Sequence, residues 1–318
     1  MRTFLIRRLL ALIPTMLFAT IIVFVFIRLI PGDIIDMMIS QHDVGFEEVT
    51  RESIQKALGL DKPIHIQYLI WVKDIVIHGD LGDSLWQETP VIDEILARMP
   101  VTLELGLFAL IIALLVSIPV GIYSAIRHDT IGDYIGRTFS ILGMAIPGFW
   151  LGTMVVIYPA VWWGWSPPID LVSFTENPWE HIETFLVPGT ILGIALSAVT
   201  MRMTRAMMLE VLRQDYIRTA WAKGLKERIV ILRHGVKNAL IPVVTLIGLQ
   251  VPILIGGTIV FEKIFVLPGM GLLLFESVNQ RDYPIITGLM LVMGVFILIV
   301  NLIVDLSYGY LDPKVRND

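Results

Sequence analysis

Few side chains in this sequence stand at a spacing that could do chemistry. In the run Gly79-Asp80-Leu81-Gly82-Asp83-Ser84, Asp80, Asp83 and Ser84 offer oxygens to a cation. They lack the spacing and the closing glutamate of a calcium loop. Asp, Ser and Gly in such a run more commonly bond their own backbone in turns. His181 and Glu183 stand two apart, and two ligands without partners do not make a metal site; they are read as solvated. Trp162, Trp163 and Trp165, with Tyr158, could form a platform for a sugar ring. A belt at a membrane–water boundary accounts for them better, because these rings are apolar while their N–H and O–H groups seek water. Met201, Met203, Met207 and Met208 could line a soft cavity, but their spacing is also that of ordinary helix packing.

Catalytic patterns are missing. There is no G-x-x-x-x-G-K-[ST] phosphate loop, no H-E-x-x-H and no G-x-S-x-G. No apolar stretch carries a pair of central aspartates. Cysteine is absent, which excludes disulfides, thiolate metal sites and thiol catalysis. No catalytic residue, metal site or resident cofactor is expected, and the chain is not read as an enzyme.

What remains is binding chemistry, concentrated between Asp215 and Pro242. Nine Lys or Arg fall between Arg202 and Lys237, against three acids. Tyr216, Ile217, Ala220 and Trp221 share a helical face. Gly224 supplies the left-handed break that ends a helix. Beyond it Ile229, Leu232, Val236 and Leu240 recur at three and four. The pattern predicts two short amphipathic helices joined at an elbow, with an apolar stripe that needs cover. Anionic lipid could cover it, as could a protein partner.

The elements that position this elbow are membrane spans. The 318 residues are 55% hydrophobic and 17% charged, with mean hydropathy +0.75; soluble domains carry about 25% charged residues. Six apolar stretches, 9–30, 103–126, 138–163, 184–202, 239–261 and 283–306, approach or exceed the roughly 20 residues that cross a hydrocarbon core. The predicted fold is therefore an all-α bundle of six transmembrane helices in a lipid bilayer. Met1 to Arg8 carries three arginines, but the apolar run behind it is too long for a signal peptide and no small-x-small site follows. It is read as a retained first span. Arg2, Arg7 and Arg8, then Arg127 and Arg137, the 201–240 loop, and Lys314 and Arg316 all fall on one side, which places both termini in the cytoplasm.

The loop 32–98 holds five Lys or Arg against thirteen Asp or Glu. It carries helical patterns at Phe46–Leu58 and Gln67–Ile77 after a turn at Pro31-Gly32. No basic domain is left for nucleic acid. Arg28, Glu104 and Asp305 are the clear charges in or beside spans, all near ends, whereas a proton-coupled carrier needs ionisable groups deep in its bundle. Gln250, and more weakly Thr245, are costly against lipid and should face protein or water, which makes them candidates for a translocation path. The expected divisions are 1–31, the extracytoplasmic insertion 32–100, a five-helix core 101–310 containing the loop 202–240, and the tail 311–318.

The elbow is more specific than its pattern. Asp215, Tyr216, Arg218, Thr219, Ala220, Ala222, Lys223, Gly224, Leu225, His234, Asn238, Ala239, Leu240 and Pro242 resemble the cytoplasmic "EAA" loop of ABC importer permeases. Trp221 stands where that family usually carries a small or basic residue. Further blocks resemble its dipeptide, oligopeptide and nickel subfamily: GDLGDS at 79–84, Pro100-Val101-Thr102-Leu103, the run Phe139–Trp150, Phe261–Gly271 and Asn301–Tyr308. The resemblance thus covers nearly the whole chain. It implies type I importer permease architecture and a non-catalytic subunit of a bacterial or archaeal cytoplasmic membrane. It also implies a second homologous permease, two ATP-binding subunits that carry the ATP and magnesium, and an extracytoplasmic binding protein that delivers di- or oligopeptides. Asp215, Tyr216, Arg218, Ala220, Trp221, Lys223, Gly224, Leu225, Asn238 and Pro242 would then couple the chain to the ATPase. Nickel or an oligosaccharide is an alternative cargo within the family. A stand-alone channel or secondary carrier would explain the spans but not the elbow.

Overall fold

The computed structural model describes residues 2–28, 61–168 and 170–311, with side chains at 10–25, 61–168 and 170–304. The expected turn at Pro31-Gly32, the Phe46–Leu58 helix and the tail from 312 lie outside the described residues, as do the side chains of Arg28 and Asp305. The described residues form helices and one isolated antiparallel bridge, Asp83 with Pro90. In chain order the helices are α1 (Arg2–Arg28), α2 (Ile64–Lys73), α3 (Val91–Ile126), α4 (Ile131–Ala145), α5 (Gly148–Trp163), α6 (Pro178–Leu212), α7 (Asp215–Ala222), α8 (Glu227–Ile229), α9 (Lys237–Phe265), α10 (Met270–Gln280) and α11 (Tyr283–Leu311). Short π-helical segments follow α2 (Asp74–His78) and join α8 to α9 (Val230–Val236).

Four stretches are helical and apolar for long enough to cross a membrane: α3, α6, Glu227–Phe265 and Tyr283–Val304. The first predicted span appears as the apolar stretch Leu10–Val25 inside the 27-residue helix α1. The third is not the continuous span 138–163 that hydropathy suggested. It is the pair α4 and α5, bent by 90°. Pro147 is the cause: it lacks an N–H and forces the preceding residue out of the helical region, and Ile146 is extended at φ −84°, ψ 120°. The fourth span begins earlier than its apolar run, because Asn177 caps it. Its side chain accepts hydrogen bonds from the N–H groups of Trp179 and Glu180, and Pro178 takes the first helical position.

The chain divides into two compact units. One comprises Ile6–Ala97 and Leu273–Leu298. Here Phe24 of α1 meets Tyr68 and Trp71 of α2, with ring centroids 5.3 and 5.6 Å away, and Thr20 shares a 2.9 Å hydrogen bond with the Tyr68 hydroxyl. The Gly79–Ser84 run bonds partly its own backbone and partly a carboxylate distant in sequence. Gly82 N–H donates to Asp80 Oδ1 at 2.8 Å, and the Ser84 hydroxyl donates to Asp282 Oδ2 at 2.6 Å. Asp282 in turn caps α11 through the Ile285 N–H. Among the described residues no three His, Cys, Asp or Glu converge on a metal position.

The other unit comprises Met1–Leu5, Arg98–Leu272 and Ile299–Asp318. Its core joins Leu105 of α3, Phe185 and Leu192 of α6, and Leu254 and Phe261 of α9. A Cβ on Gly193 would fall 2.6 Å from the Ala109 carbonyl oxygen, so α6 approaches α3 backbone to backbone. Polar side chains cross the same contacts. Ser140 donates to the Ala198 carbonyl at 2.7 Å, and Thr200 donates to Gln250 Oε1 at 2.9 Å. Arg205 grips Asp133 with two 2.8 Å hydrogen bonds from Nε and Nη2. The same buried carboxylate accepts from the Ser124 hydroxyl and from the Asp129 N–H.

Two sequence expectations fail in this unit. Glu262, one residue beyond the predicted span 239–261, is instead inside α9 and fully buried near its end. It accepts from the Thr102 hydroxyl at 2.8 Å and from the N–H groups of Gly271 and Leu272 at 2.6 and 3.1 Å. It thereby satisfies donors that the first turn of α10 would otherwise leave unpaired. His181, read as solvated, is buried in the first turn of α6. Its Nδ1 lies 2.8 Å from the Val172 carbonyl and its Nε2 lies 3.0 Å from Glu104 Oε2. The loop before α6 folds back over it, with Phe174 edge-on to its ring. Glu183 is exposed as expected.

Removing one partner from a buried ion pair costs about 3–5 kcal/mol, because the other charge is left uncompensated. Arg205→Ala is therefore expected to lower the thermal midpoint of the purified chain in detergent. The double change Asp133→Asn with Arg205→Gln should recover part of that loss.

Candidate functional site

The elbow forms as two pieces around a small core of its own. α7 starts after the extended Gln214, with Asp215 in its first turn. Arg218 reaches Asp215 across one turn at 3.4 Å, an exposed pair that contributes little. Thr219 donates to the Asp215 carbonyl. Gly224 then ends the piece with φ +72°. A Cβ there would meet nothing within 4 Å, so the left-handed backbone, not crowding, is what favours glycine.

The predicted apolar face of α7 divides. Ile217 and Ala220 point inward onto Val230, with Leu225 packed over them. Tyr216 and Trp221 point outward and are 42% and 46% exposed. The second piece is shifted from its predicted register. Val230, Ile231 and Gly235 are buried, while Ile229 and Leu232 are exposed. Residues 230–236 are π-helical, and a π turn takes an extra residue, which rotates the face away from the three-four repeat. Ile231 and Ala239 join Met208 and Ala125 in a further core, so the elbow sits on the ends of α3 and α6.

Asn238 ties the two pieces together. Its side-chain N–H groups donate to the Tyr216 hydroxyl and to the His234 carbonyl, both at 3.0 Å. Lys223, Lys226, Arg228, Arg233 and Lys237 are exposed around this frame. Pro242 lies half-buried inside α9 and does not break it. Thr245 is half-buried and reaches back to the Ile241 carbonyl at 3.5 Å. Gln250 is buried and faces protein, with its side-chain carbonyl taken by Thr200. These positions do not meet at one point: Thr245 and Gln250 lie further along α9, beyond Pro242.

The elbow is an exposed, basic surface. It offers two exposed aromatic rings in a field of cations, held rigid from behind. Two buried features escaped the sequence reading, the Asp133–Arg205 pair and the Glu262 cap. A cue for the first was present: Asp133, Gly136 and Ser140 recur at three and four as the buried face of α4.

Comparison with known proteins bears on the whole chain. The family model described as "Binding-protein-dependent transport system inner membrane component" matches residues 117–317, and its N-terminal companion matches residues 1–106. The chain is 41% identical over 320 residues to the oligopeptide transport system permease protein AppB of Bacillus subtilis, covering 99% of this chain and 100% of the relative. It is 39% identical over 340 residues to the dipeptide transport system permease protein DppB of Escherichia coli, covering 100% and 99%. It is 39% identical over 316 residues to the glutathione transport system permease protein GsiC of Pectobacterium atrosepticum, covering 99% of each. Among solved structures, an amino acid ABC transporter shares the fold, with TM-score 0.52 at 13% identity over 69% of this chain and 94% of that one.

The elbow's small core makes its order sensitive to one side chain. Ile217→Ala removes a fully buried group, and such truncations cost about 2–5 kcal/mol. Hydrogen exchange is expected to rise across 215–236 while α3 and α6 keep their protection. Unchanged exchange in the elbow would contradict this account of its packing.

Proposed function

The chain belongs to the family of binding-protein-dependent transport system inner membrane components, and from that premise we propose that it is a permease subunit of an ATP-driven importer of di- or oligopeptides. The observation that carries the mechanism is the elbow: a rigid, cation-rimmed display of Tyr216 and Trp221 seated on the ends of two spans. The similarity to permeases named for oligopeptide, dipeptide and glutathione transport supports the peptide cargo over nickel or an oligosaccharide.

In this reading the chain performs no bond chemistry. ATP and magnesium are bound by two partner ATPase subunits, a second permease completes the path, and an extracytoplasmic binding protein delivers the peptide. The elbow and both termini face the cytoplasm. Tyr216 and Trp221 seat in a groove of the ATPase as aromatic anchors. Asp215, Arg218 and Lys223 supply the charged rim around them. Ala220, Leu225, Asn238 and Pro242 act from behind: the first two pack the elbow, Asn238 clips it, and Pro242 marks its exit into α9. When ATP closes the ATPase pair, the docked elbows move with it. Helices that are bistable at their contacts convert that displacement into a change of the open face. Thr245 borders the path, and Gln250 sets the α6–α9 contact beside it.

Two measurements test this. Purification of the tagged chain from its own membranes in mild detergent should recover a second permease and ATPase chains in comparable amounts. Recovery of this chain alone, with transport in liposomes that contain nothing else, would overturn the subunit reading. Gly224→Val forces a β-branched side chain into a left-handed backbone, a strain of about 1–2 kcal/mol. It should cut dipeptide uptake by about tenfold or more, the scale of that strain, while membrane levels stay unchanged. Gly224→Asn, which tolerates the conformation, should largely retain uptake.

A further inference from the structure

A groove of about 570 Å³ opens between the end of α3 and the second half of the elbow. Its apolar lining is Ile122 and Ile126 from the last turns of α3, with Ile231 and Leu232 from the π-helical segment. Its charged lining is Arg127, Lys226 and Arg228, with Glu227 as its acid. The three cations are exposed and have no ion-pair partner among the described residues. They gather here on a chain whose formal net charge is −5.

The position of the groove decides which ligand suits it. Ile122 and Ile126 belong to a helix long and apolar enough to cross a membrane, and Arg127 is the first residue after it. The apolar stretch 103–126 ends at Ile126 and charge begins at Arg127, which sets the groove at the boundary between hydrocarbon and headgroups. A ligand there meets apolar carbon on one side and positive charge on the other. Basic pockets at the ends of membrane helices hold anionic headgroups by this combination. A free phosphate would use the cations and leave the isoleucine and leucine lining uncovered. Leu232 is 51% exposed in this groove, with side-chain surface that an acyl chain would cover.

We propose that this groove binds one anionic glycerophospholipid, with its phosphate on Arg127, Lys226 and Arg228 and its proximal acyl carbons on Ile122, Ile126 and Leu232. The site goes beyond the transport reading, since it requires only that α3 crosses the bilayer. The lipid would brace Lys226–Leu232 of the elbow against α3, making the elbow's order sensitive to the composition of the leaflet.

The test uses the purified full-length chain in neutral detergent, titrated separately with dioleoylphosphatidylglycerol, dioleoylphosphatidylcholine and soluble glycerophosphoglycerol. Native mass spectrometry counts the bound molecules. The wild type should retain one phosphatidylglycerol about tenfold or more in preference to phosphatidylcholine, the scale expected of several cations near one headgroup. Arg127→Gln, Lys226→Gln and Arg228→Gln combined should remove that preference. Leu232→Ser should weaken lipid retention without creating affinity for the soluble headgroup. Equal retention of the two lipids by the wild type would overturn the proposal, as would a preference that survives the triple change. Soluble headgroup binding as tightly as the lipid would reassign the groove to a free anion and overturn it too. So would a co-purifying acidic protein segment that excludes phosphatidylglycerol. If the triple variant does not fold, the wild type decides alone. A photoactivatable phosphatidylglycerol should label residues 122–127 or 226–232, and labelling elsewhere only would overturn the assignment.

Discussion

Buried polar groups in a bilayer-spanning bundle must find partners inside the protein, because no water is there to serve them. In the larger unit of this chain that constraint converges on α6. Ser140 of α4 donates to an α6 carbonyl, and Gln250 of α9 takes the hydroxyl of Thr200. Asp133 of α4 is gripped by Arg205, and Glu104 of α3 meets His181. Three neighbours of α6, the helices α3, α4 and α9, thus carry a polar tie in addition to their apolar packing, whereas α5 meets this core through Leu151, Val155 and Val156. Such ties contribute modestly to stability, but each admits only one register between the helices it joins. Among the described residues Ser117 Oγ is the buried side-chain atom without a hydrogen-bond partner.

The elbow inherits its rigidity from this arrangement. α6 ends at Leu212, three residues before α7 begins, and Arg205 anchors its last turns to α4. The return piece packs Ile231 and Ala239 against Met208 and Ala125. The small core of Ile217, Ala220 and Val230 stiffens the elbow from within. The exposed rings of Tyr216 and Trp221 are consequently held at fixed positions, with one of them clipped by Asn238. The division of labour is physical: aliphatic residues bury themselves, while the aromatic rings and cationic side chains remain exposed.

The bend between α4 and α5 shows how one residue redirects a span. Ile146 and Pro147 break the helix at a point where hydropathy alone continues without interruption. The carboxyl group of Glu262 does comparable work at the far end of α9, where it serves donors at the start of α10. In both places local backbone chemistry, not apolarity, decides where a helix stops and the next begins.

Much of this protein is legible in its amino acids taken in order. The apolar stretches mark the helices because about 20 residues without charge can scarcely do anything else in a membrane. Gly224 announces the elbow because only glycine enters a left-handed backbone freely. The residues from Asp215 to Pro242 identify the surface. The placements of Asp133, His181 and Glu262 could not be read this way. Each is a charged or polar side chain whose partners lie far away in the chain or on a loop folded back over it, and linear spacing carries no record of such meetings. The facing of the elbow's second piece was equally hidden, since the π-helical turn at 230–236 rotates it away from the simple helical repeat. Composition and local pattern determined which segments are apolar enough to cross a membrane and which one stands out as a basic, exposed elbow. Only the tertiary structure decided which polar groups pay for their burial by pairing, because that depends on the three-dimensional approach of helices and not on their order.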